Sequence, residues 1–88
     1  MIDDAHETAV ALVSELTSRQ REVMHMVLAG HPSKNIAVDL GISQRTVENH
    51  RAAVMHRMGV KSLPELARLV VQAELGGPLA EATLAADG

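Results

Sequence analysis

The stretch Ser33–Met58, SKNIAVDLGISQRTVENHRAAVMHRM, decides how this chain folds. In its first part Ile36, Ala37 and Leu40 recur at helical spacing; in its second part Val47, Val54 and Met58 do so, with Met55 at the edge of the stripe. Between the two, Gly41 supplies the left-handed backbone that a tight turn needs, Ile42 plugs the turn, and Ser43 caps the helix that follows. The pattern predicts helices over 34–40 and 44–58. The second of these turns Arg45, Glu48, Asn49, Ala52 and His56 away from its apolar stripe, leaving a polar face that no core claims.

Working outward, Thr17 and Gln20 form a capping-box pattern and Gly30 supplies a stop, which predicts a helix over 18–29. Its stripe is Val23, Met24 and Val27, with Met26 and Leu28 at the margins. Pro32 and Ser33 restart the chain, Ser33 serving as the N-cap. Downstream, Gly59 and Lys61 break the pattern, and Ser62 with Glu65 makes a second capping box. Pro64, tolerated in a first turn, lies in the resulting helix over 63–75, whose stripe is Leu63, Leu66, Ala67, Val70 and Ala73. Leu69, Val71 and Leu75 project outside that stripe and need burial by something else. No segment alternates as a strand does. The expected fold is all-α, a compact four-helix domain over 16–75 containing a helix-turn-helix. Residues 1–15, with only a partial stripe of Val10, Leu12, Val13 and Leu16, read as an acidic linker, partly helical or disordered, and 76–88, GGPLAEATLAADG, as a disordered tail.

A chain of 88 residues supports one small domain. It has no cysteine, hence neither a disulfide framework nor a thiolate metal site. The N-terminus, MIDDAHETAV, lacks the basic region and apolar block of a secretion signal, and no stretch approaches the roughly 18 apolar residues of a membrane span. A soluble, cytoplasmic chain without a membrane partner is expected. The net charge of −3 is unevenly spread: all eight Lys and Arg lie between Arg19 and Arg68, against five acids in 17–75, so that segment carries +3 while the flanks are acidic. At a Debye length of about 8 Å, a phosphate backbone responds to the local charge.

Catalytic readings find little support. Glu22 and His25 make a Glu-x-x-His at helical spacing, which a di-iron bundle needs twice, and the second copy is missing. The five histidines show no metal-ligand rhythm. There is no glycine-rich phosphate loop. No catalytic residue, metal or cofactor is expected.

A helix-turn-helix needs a small residue where its helices cross, a glycine in the turn and apolar residues that lock the pair, roles that Ala37, Gly41 and the set Ile36, Leu40, Ile42 and Val47 fill. Such a motif lays its second helix in the major groove of DNA. An ordinary packing hairpin would show the same stripes. The segments LTSRQREVM at 16–24, AG at 29–30, PSKNIAVDLGIS at 32–43 and RTVENHRAAVMHRMGVKS at 45–62 sharpen the reading, because together they resemble the LuxR-type helix-turn-helix domain, in particular the FixJ and NarL group of response-regulator output domains.

The resemblance implies DNA-binding transcription regulation, with the third helix as recognition helix and the fourth as the contact of a homodimer, here through Leu69, Val71 and Leu75. Glu48, Asn49 and Ala52 match positions that face bases, with Arg45 beside them; Lys34, Thr46 and His50 match phosphate contacts, helped by Ser33, Ser43 and Arg51. Asn49 suits adenine N6/N7, and Arg45 suits guanine O6/N7 or a phosphate. Glu48 suits cytosine N4 or an ion pair with Arg45 or Arg51. The family also implies a preceding receiver domain, which the residues before Leu16 are too few to build, so the chain reads as an output domain with its linker or as a free-standing regulator. RNA polymerase is a further partner of such regulators. A sigma-factor-like promoter module and a helical protein-interaction domain are the alternatives.

Overall fold

Five helices make up the described part of the chain, residues 4–75, in the computed structural model: α1 (Asp4–Ser14), α2 (Ser18–Leu28), α3 (Ser33–Leu40), α4 (Gln44–Met58) and α5 (Leu63–Glu74). No strand occurs among the described residues. The all-α class is as expected, but the four expected helices become five, because residues 4–14 also form a helix. The expected tail, 76–88, lies outside the described residues.

Local chemistry sets most of the boundaries. Thr17 Oγ1 accepts from the Gln20 N–H at 3.1 Å and Gln20 Oε1 accepts from the Thr17 N–H at 3.0 Å, so α2 opens with a complete capping box. At the turn of the motif, Gly41 has φ +67°. There the Ile42 N–H donates to the Ala37 carbonyl at 3.0 Å and the Gly41 N–H to that of Val38 at 3.3 Å, a Schellman end that a β-carbon at residue 41 would strain. Two caps differ from expectation. Pro32, not Ser33, occupies the N-cap of α3: its carbonyl accepts from both Asn35 and Ile36, and Ser33 is buried as the first helical residue with no capping bond. Ser62 does cap α5, accepting from the Glu65 N–H at 3.3 Å, but Glu65 reaches back to the Lys61 N–H at 3.0 Å and not to Ser62.

The stripes of α2 and α4 meet and divide the core into two clusters. On one side Val23 and Val27 pack with Ile36, Ala37 and Val47, joined by the partly buried Leu40 and Ile42, which locks α3 to α4. On the other, Leu16, Met24, Val54, Met58, Leu66 and Val70 join α2 and α4 to α5. Within α5 only Leu66 and Val70 of the expected stripe are buried, and Leu63 in the first turn is 43% exposed.

The extra helix explains part of the apolar excess on α5. The pairing of α1 with α5 is the most extensive in the fold. Ala9 is fully buried, Leu12 and Val13 pack against the same cluster as Leu69, and His6 Nδ1 hydrogen-bonds the Gln72 carbonyl at 2.6 Å. Ala9, Leu12, Val13 and Leu16 stand at i, i+3, i+4 and i+7, the spacing of one helix face. Ala9→Leu should therefore overpack the seam and lower stability by about 1–3 kcal/mol, read as a shifted midpoint in urea unfolding; an unchanged midpoint would mean that α1 does not hold this position in solution.

Candidate nucleic-acid interface

The polar face expected of α4 is present and open. Arg45, Glu48, Asn49 and Ala52 are all exposed, as is His56 one turn further along. Beneath them Val47 and Val54 are buried, so the face is held by side chains on the opposite side of the same helix. Small Ala52 leaves the middle of this face low, which permits close approach of a flat ligand edge or contact with a methyl group.

The N-terminus of α4 is pinned by its own cap. Ser43 Oγ accepts from the Thr46 N–H at 3.0 Å and lies 2.8 Å from Thr46 Oγ1. The two hydroxyls thus form a linked pair beside the first N–H groups of the helix, where the backbone favours an anion. Lys34 is exposed in the first turn of α3, and His50 is half-buried on α4.

Electrostatics favours an external partner for this face. The ion pairs among the described residues are Arg19–Glu22 and His25–Glu74. Neither touches α3 or α4, so Lys34, Arg45 and Glu48 have no ion-pair partner there, and the alternative of Glu48 bridging to Arg45 or Arg51 is not realised. The same two pairs engage Glu22 and His25 separately, dissolving the Glu-x-x-His pattern. Arg57 is also accounted for: its Nη1 donates to the Glu15 carbonyl at 3.4 Å, tying the end of α4 to the chain before α2.

Two groups of expected residues sit differently from the rest. Arg51 is half-buried and lines the space between α2, α4 and α5, because it stands four residues after Val47 and three before Val54, on the inward stripe. Of the three residues assigned to a dimer contact, Leu69 packs into the cluster shared with α1, Val71 is half-buried and Leu75 is 56% exposed. Leu63, Ala67, Val71 and Leu75 recur every four residues, leaving an apolar line along α5 that α1 does not cover completely. No helix among the described residues is long and apolar enough to cross a membrane.

Comparison with known proteins agrees with this geometry. Residues 14–70 match the family described as GerE, bacterial regulatory proteins of the luxR family. The transcriptional regulatory protein FixJ of Rhizobium meliloti (strain 1021) is 48% identical over 75 residues, covering 85% of this chain and 36% of that protein. The transcriptional regulatory protein UhpA of Escherichia coli (strain K12) is 41% identical over 66 residues, 75% of this chain and 34% of its own length. Among solved structures, full-length FixJ from B. japonicum superposes with a TM-score of 0.71 at 39% identity, covering 83% of this chain and 37% of that one. The chain thus spans about a third of the length of the relatives it matches.

Proposed function

This chain belongs to the luxR family of bacterial regulatory proteins, and from that premise we propose that it is the DNA-reading output domain of a two-component response regulator acting in the bacterial cytoplasm. The single observation that carries the reading is the exposed, ion-pair-free face of α4, Arg45, Glu48, Asn49 and Ala52, set on a rigid helix-turn-helix. In this reading α4 enters the major groove, those four side chains meet base edges, and Lys34, Ser43, Thr46 and His50 hold the phosphates, with Arg51 contributing from beside them. The likeness to FixJ proteins supports a receiver domain elsewhere in the intact regulator, and RNA polymerase as the partner through which it acts.

Binding of the 88-residue chain to a duplex library in a salt series tests the proposal. The logarithm of the binding constant should fall with that of salt at a slope near −0.9 per phosphate neutralised, and selection should enrich one motif. A flat salt response removes the DNA-binding reading.

Two copies on adjacent half-sites are proposed to meet along the open line of α5, through Val71 and Leu75 with Leu69 supporting it from beneath. Val71→Glu should then abolish cooperative binding to a paired site while single-site affinity stays within about threefold, since a carboxylate opposed by its own symmetry mate is repelled. Surviving cooperativity would place the contact elsewhere.

A further inference from the structure

The layer made by α1 and α5 leaves apolar surface uncovered. Among the described residues four large apolar side chains are exposed, and three of them, Val10, Leu63 and Leu75, belong to this layer. A stable protein interface takes roughly 20–30 residues from each side. The 12 residues of α5, of which Leu66 and Val70 are buried in the core, cannot supply that number alone. The helix packed beside it is α1.

The charges on the two helices are of opposite sign. On α5, Glu74 pairs with His25, and Glu65 accepts from the Lys61 N–H at 3.0 Å, whereas the side chain of Arg68 has neither a hydrogen bond nor an ion pair among the described residues. On α1, the exposed side chain of Glu7 is unpaired in the same sense. Both point away from the core for one reason. Two residues along a helix turn a side chain by about 200°; Arg68 stands two residues from buried Leu66 and from buried Val70, and Glu7 two before buried Ala9. Arg68, Val71 and Leu75 stand at i, i+3 and i+7, so the guanidinium borders the open apolar line of α5.

We propose that the contact between two copies takes in α1 as well as α5, with Glu7 of each copy paired to Arg68 of the other across a two-fold axis. The proposal rests on the pairing along α5 given above and adds to it a second helix and a fixed set of charges. An isologous contact needs a self-complementary face, because whatever residue i meets as j, j meets as i on the other side of the axis. One carboxylate and one guanidinium on the same layer satisfy that requirement. Val71 and Leu75 form the apolar centre, and the opposite charges beside them set the register and repel misaligned pairings.

The test is sedimentation equilibrium of the 88-residue chain and of two single variants, Glu7→Arg and Arg68→Glu, at concentrations up to about 1 mM. Each variant alone opposes like charges twice across the axis and should self-associate about tenfold more weakly than the parent chain. Mixed in equal amounts, the two present opposite charges at both cross pairs, so the mixture should associate at about the parent level. Glu7→Arg with Arg68→Glu in one chain should do the same. An ion pair within one chain would not be restored by mixing, and rescue in the mixture itself shows that both variants are folded. The gap between the mixture and the single variants should narrow in high salt, because exposed pairs are screened. A mixture that associates no better than the single variants overturns the cross pairing. If Val71→Glu then still abolishes association, the α5 contact stands without α1; if it does not, the pairing along α5 fails as well. A parent chain that stays monomeric over the whole concentration range also overturns the proposal.

Discussion

Asn49→Ala should reduce affinity for the selected DNA site by about 5- to 150-fold, the equivalent of one bidentate base contact worth about 1–3 kcal/mol, and leave affinity for unrelated DNA nearly unchanged. The asymmetry follows from position. Asn49 is exposed at the middle of the α4 face, over a buried Val47 and Val54, where its amide is presented without any intramolecular ion pair beside it. Lys34→Ala should behave in the opposite way, weakening every sequence by a similar factor and reducing the salt slope by about one phosphate. Lys34 sits at the start of α3, whose geometry relative to α4 is fixed by Ile36, Ala37 and Val47, so removing its charge changes the field and not the docking angle. Quantitative binding of both variants to the selected site and to a scrambled duplex, at several salt concentrations, gives the comparison. If both substitutions lower specific and non-specific binding alike, the division between base and backbone contacts is wrong.

Leu66→Ala carries the largest expected loss of stability, about 2–5 kcal/mol. Leu66 is 2% exposed and joins Met24, Val54, Met58 and Val70 in the cluster that ties α5 to α2 and α4. Truncation would leave a void among these packed side chains, which the surrounding helices fill only in part. A domain of this length is stable by only about 4–13 kcal/mol, so the variant should unfold at markedly lower urea and lose DNA binding on warming before the parent chain does. A loss below about 1 kcal/mol would mean that α5 is not held through this residue. Leu63→Ala, at a residue 43% exposed, should cost much less and serves as the control on the same helix.

Much of the fold was legible in residue spacing. The stripes Val23–Met24–Val27, Ile36–Ala37–Leu40 and Val47–Val54–Met58 give three of the helices and their inward faces, and caps at Thr17 and Ser43 mark where two of them start. These features are local, since a helix of 3.6 residues per turn needs only its own sequence to define a face. The polar face of α4 was legible for the same reason: what the stripe does not take is left outside. The half-buried place of Arg51 follows from its spacing to Val47 and Val54 in the same way.

The fifth helix was harder to read. With Val10 counted into its stripe, the N-terminal segment looks irregular; with Ala9 in its place the spacing is regular, but alanine is too small to announce a core position until something packs on it. Leu69, Val71 and Leu75 likewise share one description in sequence, apolar residues outside a stripe, and only the packing of Leu69 against the core cluster separates it from the other two.

Sequence by itself therefore determined the helix-turn-helix, its turn at Gly41 and the polar side chains that α4 offers outward, because each depends on periodicity and backbone preference within a short stretch. Tertiary structure decided what those elements leave over: that α1 covers one side of α5, that Glu48 and Arg45 have no ion-pair partner among the described residues, and that Arg51 turns toward the seam between α2, α4 and α5. These depend on distances between residues far apart in the chain, which no local pattern specifies, and they follow from how five helices of particular side-chain volumes fill the space between them.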